Sequence, residues 1–216
     1  MIEPSPKLNN LNYLGIDPGH ISGGIVLTSS TATLAACTWQ RLRRKSGDTW
    51  RVDVEVMSSP KPTVHRSHFD GSSSAILGNA VVRRTYHASY WEAIDSIWSV
   101  LPCGAYHLAV EDMFIPHGRG MMGLVKLIES AGGLMATFAP AALSVKRPRA
   151  NAWRKAILGI GGRVCAADAE KEAIEWAKNN ANLGRLQKNG HVCEAAAIAK
   201  WCQRNAPSHS PTLAGQ

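Results

Sequence analysis

The chain has 216 residues, 45% of them hydrophobic, a formal net charge of +8 and a pI of about 9.5. That is enough for one domain with a real core and too apolar for a disordered tail, and the positive balance favours an anionic partner, nucleic acid first. Cys37, Cys103, Cys165, Cys193 and Cys202 are scattered and form no CxxC pair, which argues against a disulfide framework or a cysteine zinc site. The opening MIEPSPKLNN has no signal-peptide run and no stretch reaches transmembrane length, so the expectation is a soluble, cytoplasmic protein.

Residues 1–10 read as a loose leader. Leu11 to Val26, LNYLGIDPGHISGGIV, reads as a strand, a tight Pro-Gly turn and a second, antiparallel strand. Asp17 stands at the end of the first strand, where a carboxylate costs free energy unless a charge pairs with it. On this segment alone it can cap its own turn or bind a metal. TLAACTWQ (33–40) suits a third strand of a meander. RLRRKSGD (41–48) is basic and ends in a turn signal, and TWRVDVEVM (49–57) alternates strictly with period two, a half-buried strand. Together they predict a projecting hairpin, followed by an exposed loop over 58–74. The basic residues of 41–45 and Arg83-Arg84 read either as a solvated face or as a DNA backbone contact.

Ala88 to Val100 places Tyr90, Trp91, Ile94, Ile97 and Trp98 on one helical face, taken as core. HLAVEDMF (107–114) reads as a buried strand, so a second carboxylate, Glu111, ends an apolar strand as Asp17 does. Gly123 to Ala136 predicts a helix buried through Leu124, Leu127, Ile128, Ala131 and Met135. Its Gly132-Gly133 pair suggests close packing against a neighbour. A short strand follows at 141–145, then a basic cluster of Lys146, Arg147, Arg149, Arg154 and Lys155 around Trp153. GIGG (159–162) is a turn without the Lys-Ser/Thr of a P-loop. Asp168 can cap a helix to about Asn179. A polar loop to Gly190 and an alanine-rich helix, HVCEAAAIAKWCQR (191–204), complete the order. A meander followed by alternating strands and helices implies a mixed sheet with helices on its faces.

His191 and Glu194, three apart, share a face at the start of that last helix. Two strand-end carboxylates and this pair can form a divalent-metal cluster, because adjacent carboxylates repel unless a cation sits between them. Mg²⁺ prefers oxygen ligands and binds substrate phosphate as well. Spacing alone leaves their convergence open, since each residue can equally be a cap or an ion-pair partner.

LGIDPGHISGGIV, LAVEDMF, GLVKLIESAGGLMATFA, LGIGGRVCAADAEKEAI and HVCEAAAIAKW, in that order, resemble the RuvC-type Holliday junction resolvases of the ribonuclease H-like superfamily. The resemblance covers most of 11–40 and 88–204 and leaves 41–87 as an insertion; the chain length and the diverged inserts suggest a phage or phage-derived version. It implies one α/β nuclease domain with a five-stranded mixed sheet, tails at 1–10 and 205–216, and an inserted hairpin and loop. It also implies catalysis and metal binding by Asp17, Glu111, His191 and Glu194, with two Mg²⁺ or Mn²⁺ ions per site. DNA contacts would come from Phe114, Arg147, Arg149, Arg154, Lys155 and Lys171, in a homodimer that cuts four-way junctions during recombination and repair. Glu194 departs from the Asp usual at its position, which adds a methylene to the ligand. The competing readings are a nuclease for flaps and other branches, a junction-binding protein with impaired catalysis, and an actin-like or sugar-kinase-like ATPase using Asp17. The chain is short for the last and shows no second phosphate loop.

Overall fold

The structure, a computed structural model, describes residues 11–44, 47–57, 73–77, 80–101, 104–112, 121–162 and 164–207. Among these, eight strands form one sheet: β1 Asn12–Asp17, β2 Ser22–Thr28, β3 Thr33–Arg44, β4 Gly47–Met57, β5 Ser73–Leu77, β6 Ala80–His87, β7 Tyr106–Val110 and β8 Ala142–Lys146. Their order is β5-β6-β4-β3-β2-β1-β7-β8. β1 to β4 form an antiparallel meander, while β7 lies parallel to β1 and β8 parallel to β7. The run β3-β2-β1-β7-β8 is the expected five-stranded mixed sheet.

The helices are α1 Tyr90–Trp98, α2 Met121–Phe138, α3 Ala150–Trp153, α4 Ala166–Asn180 and α5 Gly190–Asn205. α3 continues into a single π-helical turn, Arg154–Leu158. Strand alternation divides the chain between the two faces. Leu14, Ile16, Ile25, Trp39 and Val52 pack under Tyr90, Ile94 and Ile97 of α1 and Leu134 and Phe138 of α2. On the opposite face, Val26 and Ala36 pack with Ala173 and Ala177 of α4 and Val192, Ala195 and Ala196 of α5. Tyr13 and Ala109 pack there with Trp153, Ala197 and Ile198.

Glycine sets how close α5 comes. A Cβ on Gly15 would lie 2.1 Å from the Ala195 carbonyl oxygen and 2.4 Å from the Ala199 nitrogen. One on Gly24 would lie 2.4 Å from the His191 carbonyl oxygen. Backbone meets backbone at both places, which only glycine on the strand permits. Alanines at 195, 196, 197 and 199, all buried, complete the fit from the helix side.

The inserted region extends the sheet. The basic run joins β3, which continues to Arg44 instead of stopping near Gln40, and pairs with β4 from Arg44↔Gly47 down to Ala35↔Val56. Beyond β4 lie β6 and β5, neither of them expected. The expected loop over 58–74 falls outside the described residues except for Ser73 and Ser74, which begin β5. β6 escapes a pattern reading because Arg83 and Arg84 interrupt its apolar alternation; the backbone pairing with β4 overrides that local signal.

Helix α1 has a reciprocal cap: Glu92 N donates to Ser89 Oγ, and Ala88 N donates to Glu92 Oε2. Its predicted face is only partly buried. Trp91 is 49% exposed, with its ring laid across Gly133, and Trp98 is half-exposed against Phe138. These two rings cover α2 from outside instead of filling the core. On α2, Ile128 is 53% exposed, and the buried stripe runs through Ser130, Ala131, Leu134 and Phe138. The polar Ser130, bonded to His20 Nδ1, disguised that stripe. Gly133 provides the expected close contact, whereas Gly132 faces open space. Asp168 lies in the first turn of α4, and Cys165 is the cap, its Sγ accepting from Asp168 N. The polar loop after α4 contains a 3-10 turn, Gly184–Lys188.

Two glycine substitutions should separate close approach from propensity. Gly15→Ala should cost about 2 kcal/mol or more, because neither backbone can yield. Gly132→Ala should be neutral or stabilising by up to about 1 kcal/mol. Urea midpoints at unchanged slope measure both.

Candidate metal centre

Asp17 is the last residue of β1, and the pairing Asp17↔Gly24 turns its side chain to the α5 face. β7 ends beside it. Ile16 pairs with Val110, and Glu111 N donates to the Ile16 carbonyl at 3.0 Å, which places Glu111 next to Asp17. α5 starts above both. Its N-cap Asn189 accepts from Val192 N and donates Nδ2 to Thr38 Oγ1, anchoring the helix start to β3. The first turn then carries His191 and Glu194 over Asp17.

Asp17, His191 and Glu194 each offer a ligand atom within 4.8 Å of the others. Glu111 stands outside that mutual reach but feels the same charges. Burial first, then the Asp17 and Glu194 carboxylates, push its carboxyl up to about 8, while Arg154 opposes the shift. The Trp153 indole N–H, without a partner at full hydrogen-bond geometry, also favours ionised Glu111. Glu194 is pushed up to about 7 by burial and then by Asp17. Three carboxylates held this close out of water form a site short of positive charge.

His191 is clamped at both ring nitrogens. Nδ1 lies 2.6 Å from Asp17 Oδ2, and Nε2 lies 2.8 Å from Ser22 Oγ. The bond to Asp17 raises the imidazole pKa most, burial opposes it, and Asp17, Glu194 and Glu170 add charge attraction. Arg154 Nη2 bonds Glu194 Oε1 at 3.0 Å, and its guanidinium lies over the Trp153 ring. The donor set, oxygens with one imidazole, suits Mg²⁺ or Mn²⁺. Binding through His191 would require it to release Asp17 or Ser22, and Glu194 must share its carboxylate with Arg154.

The other predicted DNA contacts divide. Arg154 lies inside the cluster, against Glu194. Arg147 is exposed and pairs with Asp112 at 2.8 Å, while Arg149 makes a backbone β-bridge with Asp112 and stands at the N-cap position of α3 without a side-chain cap bond. Lys155 and Lys171 are exposed on the π-helical turn and on α4. Phe114 lies outside the described residues. Sequence reasoning missed Ser22, Trp153 and Glu170. Ser22 had a readable signal: once Asp17 faces Gly24, a residue two before Gly24 must share Asp17's side of the sheet. Trp153 and Glu170 had none, since chain folding alone brings them in.

Without a divalent cation, these shifts make stability fall as pH rises. The folded state holds protons on Glu194 and Glu111 that the unfolded chain releases from about pH 4.5 upward. The stabilisation is complete below that pH and is lost through about 7 for Glu194 and about 8 for Glu111. The raised His191 pKa acts in the same direction. Thermal melts in chelator should show Tm declining across this window, and Glu111→Gln should flatten the decline.

No family model and no curated protein matches the chain. Among solved structures it is similar to T. thermophilus RuvC in complex with Holliday junction substrate, at 16% identity over 88% of this chain and 90% of that one, with a TM-score of 0.42. It is also similar to a Thermus thermophilus RuvC structure, at 15% identity over 88% and 91%, with a TM-score of 0.40.

Proposed function

We propose that this protein is a divalent-metal-dependent, structure-selective endodeoxyribonuclease that resolves four-way DNA junctions by paired symmetric nicks. The observation that carries the reading is the meeting of Asp17, His191 and Glu194 at one rim of the sheet, with Glu111 beside them. Asp17, Glu111, Glu194 and His191 would hold Mg²⁺ or Mn²⁺, two ions per site. Such ions, when bound, neutralise phosphate charge and make water nucleophilic at neutral pH.

The chain's own groups do the rest. Its carboxylates come from two adjacent strand ends and one helix, so their separation is set by the rigid sheet and not by a loop. Asp17 and Ser22 hold the His191 ring in one orientation. Arg154, whose bond to Glu194 supports the reading, would meet a phosphate at the cluster. Arg147, Arg149, Lys155 and Lys171 would hold backbone phosphates outside it, and Phe114 would stack in the opened crossover. Hydrolysis in this arrangement leaves 5′-phosphate and 3′-hydroxyl ends. A four-way junction is two-fold symmetric, so the working form is a homodimer with two sites.

The Arg154–Glu194 bond favours a second reading. A guanidinium on a ligand carboxylate can substitute for a cation, leaving a protein that binds junctions without cutting them.

Synthetic four-way, Y-shaped and linear DNA, tested with Mg²⁺, Mn²⁺ and chelator, distinguishes these readings. The nuclease reading expects four-way junctions to be cut in either metal and not in chelator. It expects Asp17→Asn to lower cutting at least about 100-fold while binding persists. Binding with no cutting in any metal selects the second reading, equal cutting of Y-shaped DNA a broader branch nuclease, and ATP hydrolysis without DNA cleavage rejects both.

A further inference from the structure

Strands β3 and β4 outrun their neighbour β2. β2 begins at Ser22, opposite Gln40, and Arg41 N makes one more bond, to the Ile21 carbonyl. Beyond that row β3 and β4 continue together to Arg44↔Gly47. At ~3.4 Å per residue, the ribbon stands about 10 Å past the rim. It is the same rim on which Asp17 ends β1 and Ser22 begins β2, so the ribbon rises beside the carboxylate cluster.

One side of this ribbon continues the face that carries Asp17. A straight register row runs Asp17↔Gly24↔Thr38↔Asp53↔Arg84 across β1, β2, β3, β4 and β6. Alternation then places Arg44, Arg51 and Tyr86 on that face. The 3-10 turn Gly184–Lys188 lies on it too, because Arg185 N donates to Glu55 Oε2 at 2.8 Å, and it brings exposed Arg185 and Lys188.

The charge balance of this surface is positive. Asp53 is spent on Arg51 and Arg84, at 3.1 and 2.5 Å, and buried Glu55 is spent on the turn. Arg44, Arg185 and Lys188 make no ion pair among the described residues. Tyr86, 42% exposed, carries the Arg44 guanidinium over its ring. From Asp17 to Arg84 is four strand spacings, about 19 Å. A duplex running across that span presents several backbone phosphates to the cations, at one charge per ~1.7 Å of axis.

We propose that the projecting β3–β4 ribbon, with β6 and the 184–188 turn, is a platform that holds the phosphate backbone of the DNA arm leaving the cut site. This rests on the junction-binding reading above and gives the insertion its role. The contact is to backbone and carries no sequence preference.

The test uses the full chain carrying Asp17→Asn, so that DNA is bound and not cut. Junctions with arms long enough to cross the platform are compared with junctions whose arms end before it, over a range of salt. The comparison variant adds Arg44→Gln, Arg185→Gln and Lys188→Gln, all exposed; Arg44→Gln with Lys188→Gln replaces it should its thermal melt change. The expected result is tighter binding of the long arms by the parent. In the variant that advantage is lost, the slope of log K against log salt falls by about 1 to 3, and short-arm binding is unchanged. An unchanged slope and arm-length advantage would overturn the platform while leaving the junction reading intact. A parent that binds no junction would sink both.

Discussion

The approach of α5 to β1 and β2 is the constraint on which the candidate site depends. Gly15 and Gly24 let the helix backbone sit on the strand backbone, closer than any side chain would allow. Asp17 is two residues beyond Gly15, and His191 is the residue whose carbonyl rests on Gly24. The contact that closes the core therefore also sets the distance between Asp17 and the His191 and Glu194 side chains of the last helix. Asn189, bonded to Thr38, fixes where along the sheet the helix begins.

That geometry puts like charges together, and the local network answers it with the few positive groups in reach. His191 shares a proton with Asp17, Arg154 leans on Glu194, and Glu111 holds its proton more tightly than Glu194 does. Such an arrangement is poorly satisfied by its own side chains. It is a preorganised place for external positive charge, which is the physical content of calling it a candidate metal centre.

The insertion alters what surrounds this centre. By adding β4, β6 and β5 to one edge, it widens the α5 side of the sheet and raises a basic ribbon past the rim where Asp17 ends β1. The basic residues at 41–44 and 83–84, far apart in the chain, are carried on one sheet because β4 pairs with both β3 and β6. A single sheet thus carries the acidic cluster and the basic ribbon at the same rim.

Much of this was legible in the residues. Strict alternation revealed β4, the Asp-Pro-Gly turn placed Asp17 at a strand end, and the three-residue spacing put His191 and Glu194 on one helical face. These are local signals, set by backbone period and turn chemistry within a few residues. What the residues could not reveal depends on contacts distant in sequence. Ile128 turns to solvent because Ser130, satisfied by His20, takes the buried side of α2. Arg154 joins the cluster because Glu194, forty positions away, lies in its reach. β6 is a strand because β4 offers it an edge. Pattern and turn chemistry determined which residues end strands and start helices; only tertiary packing decided which of them meet, since that depends on how closely Gly15 and Gly24 admit α5.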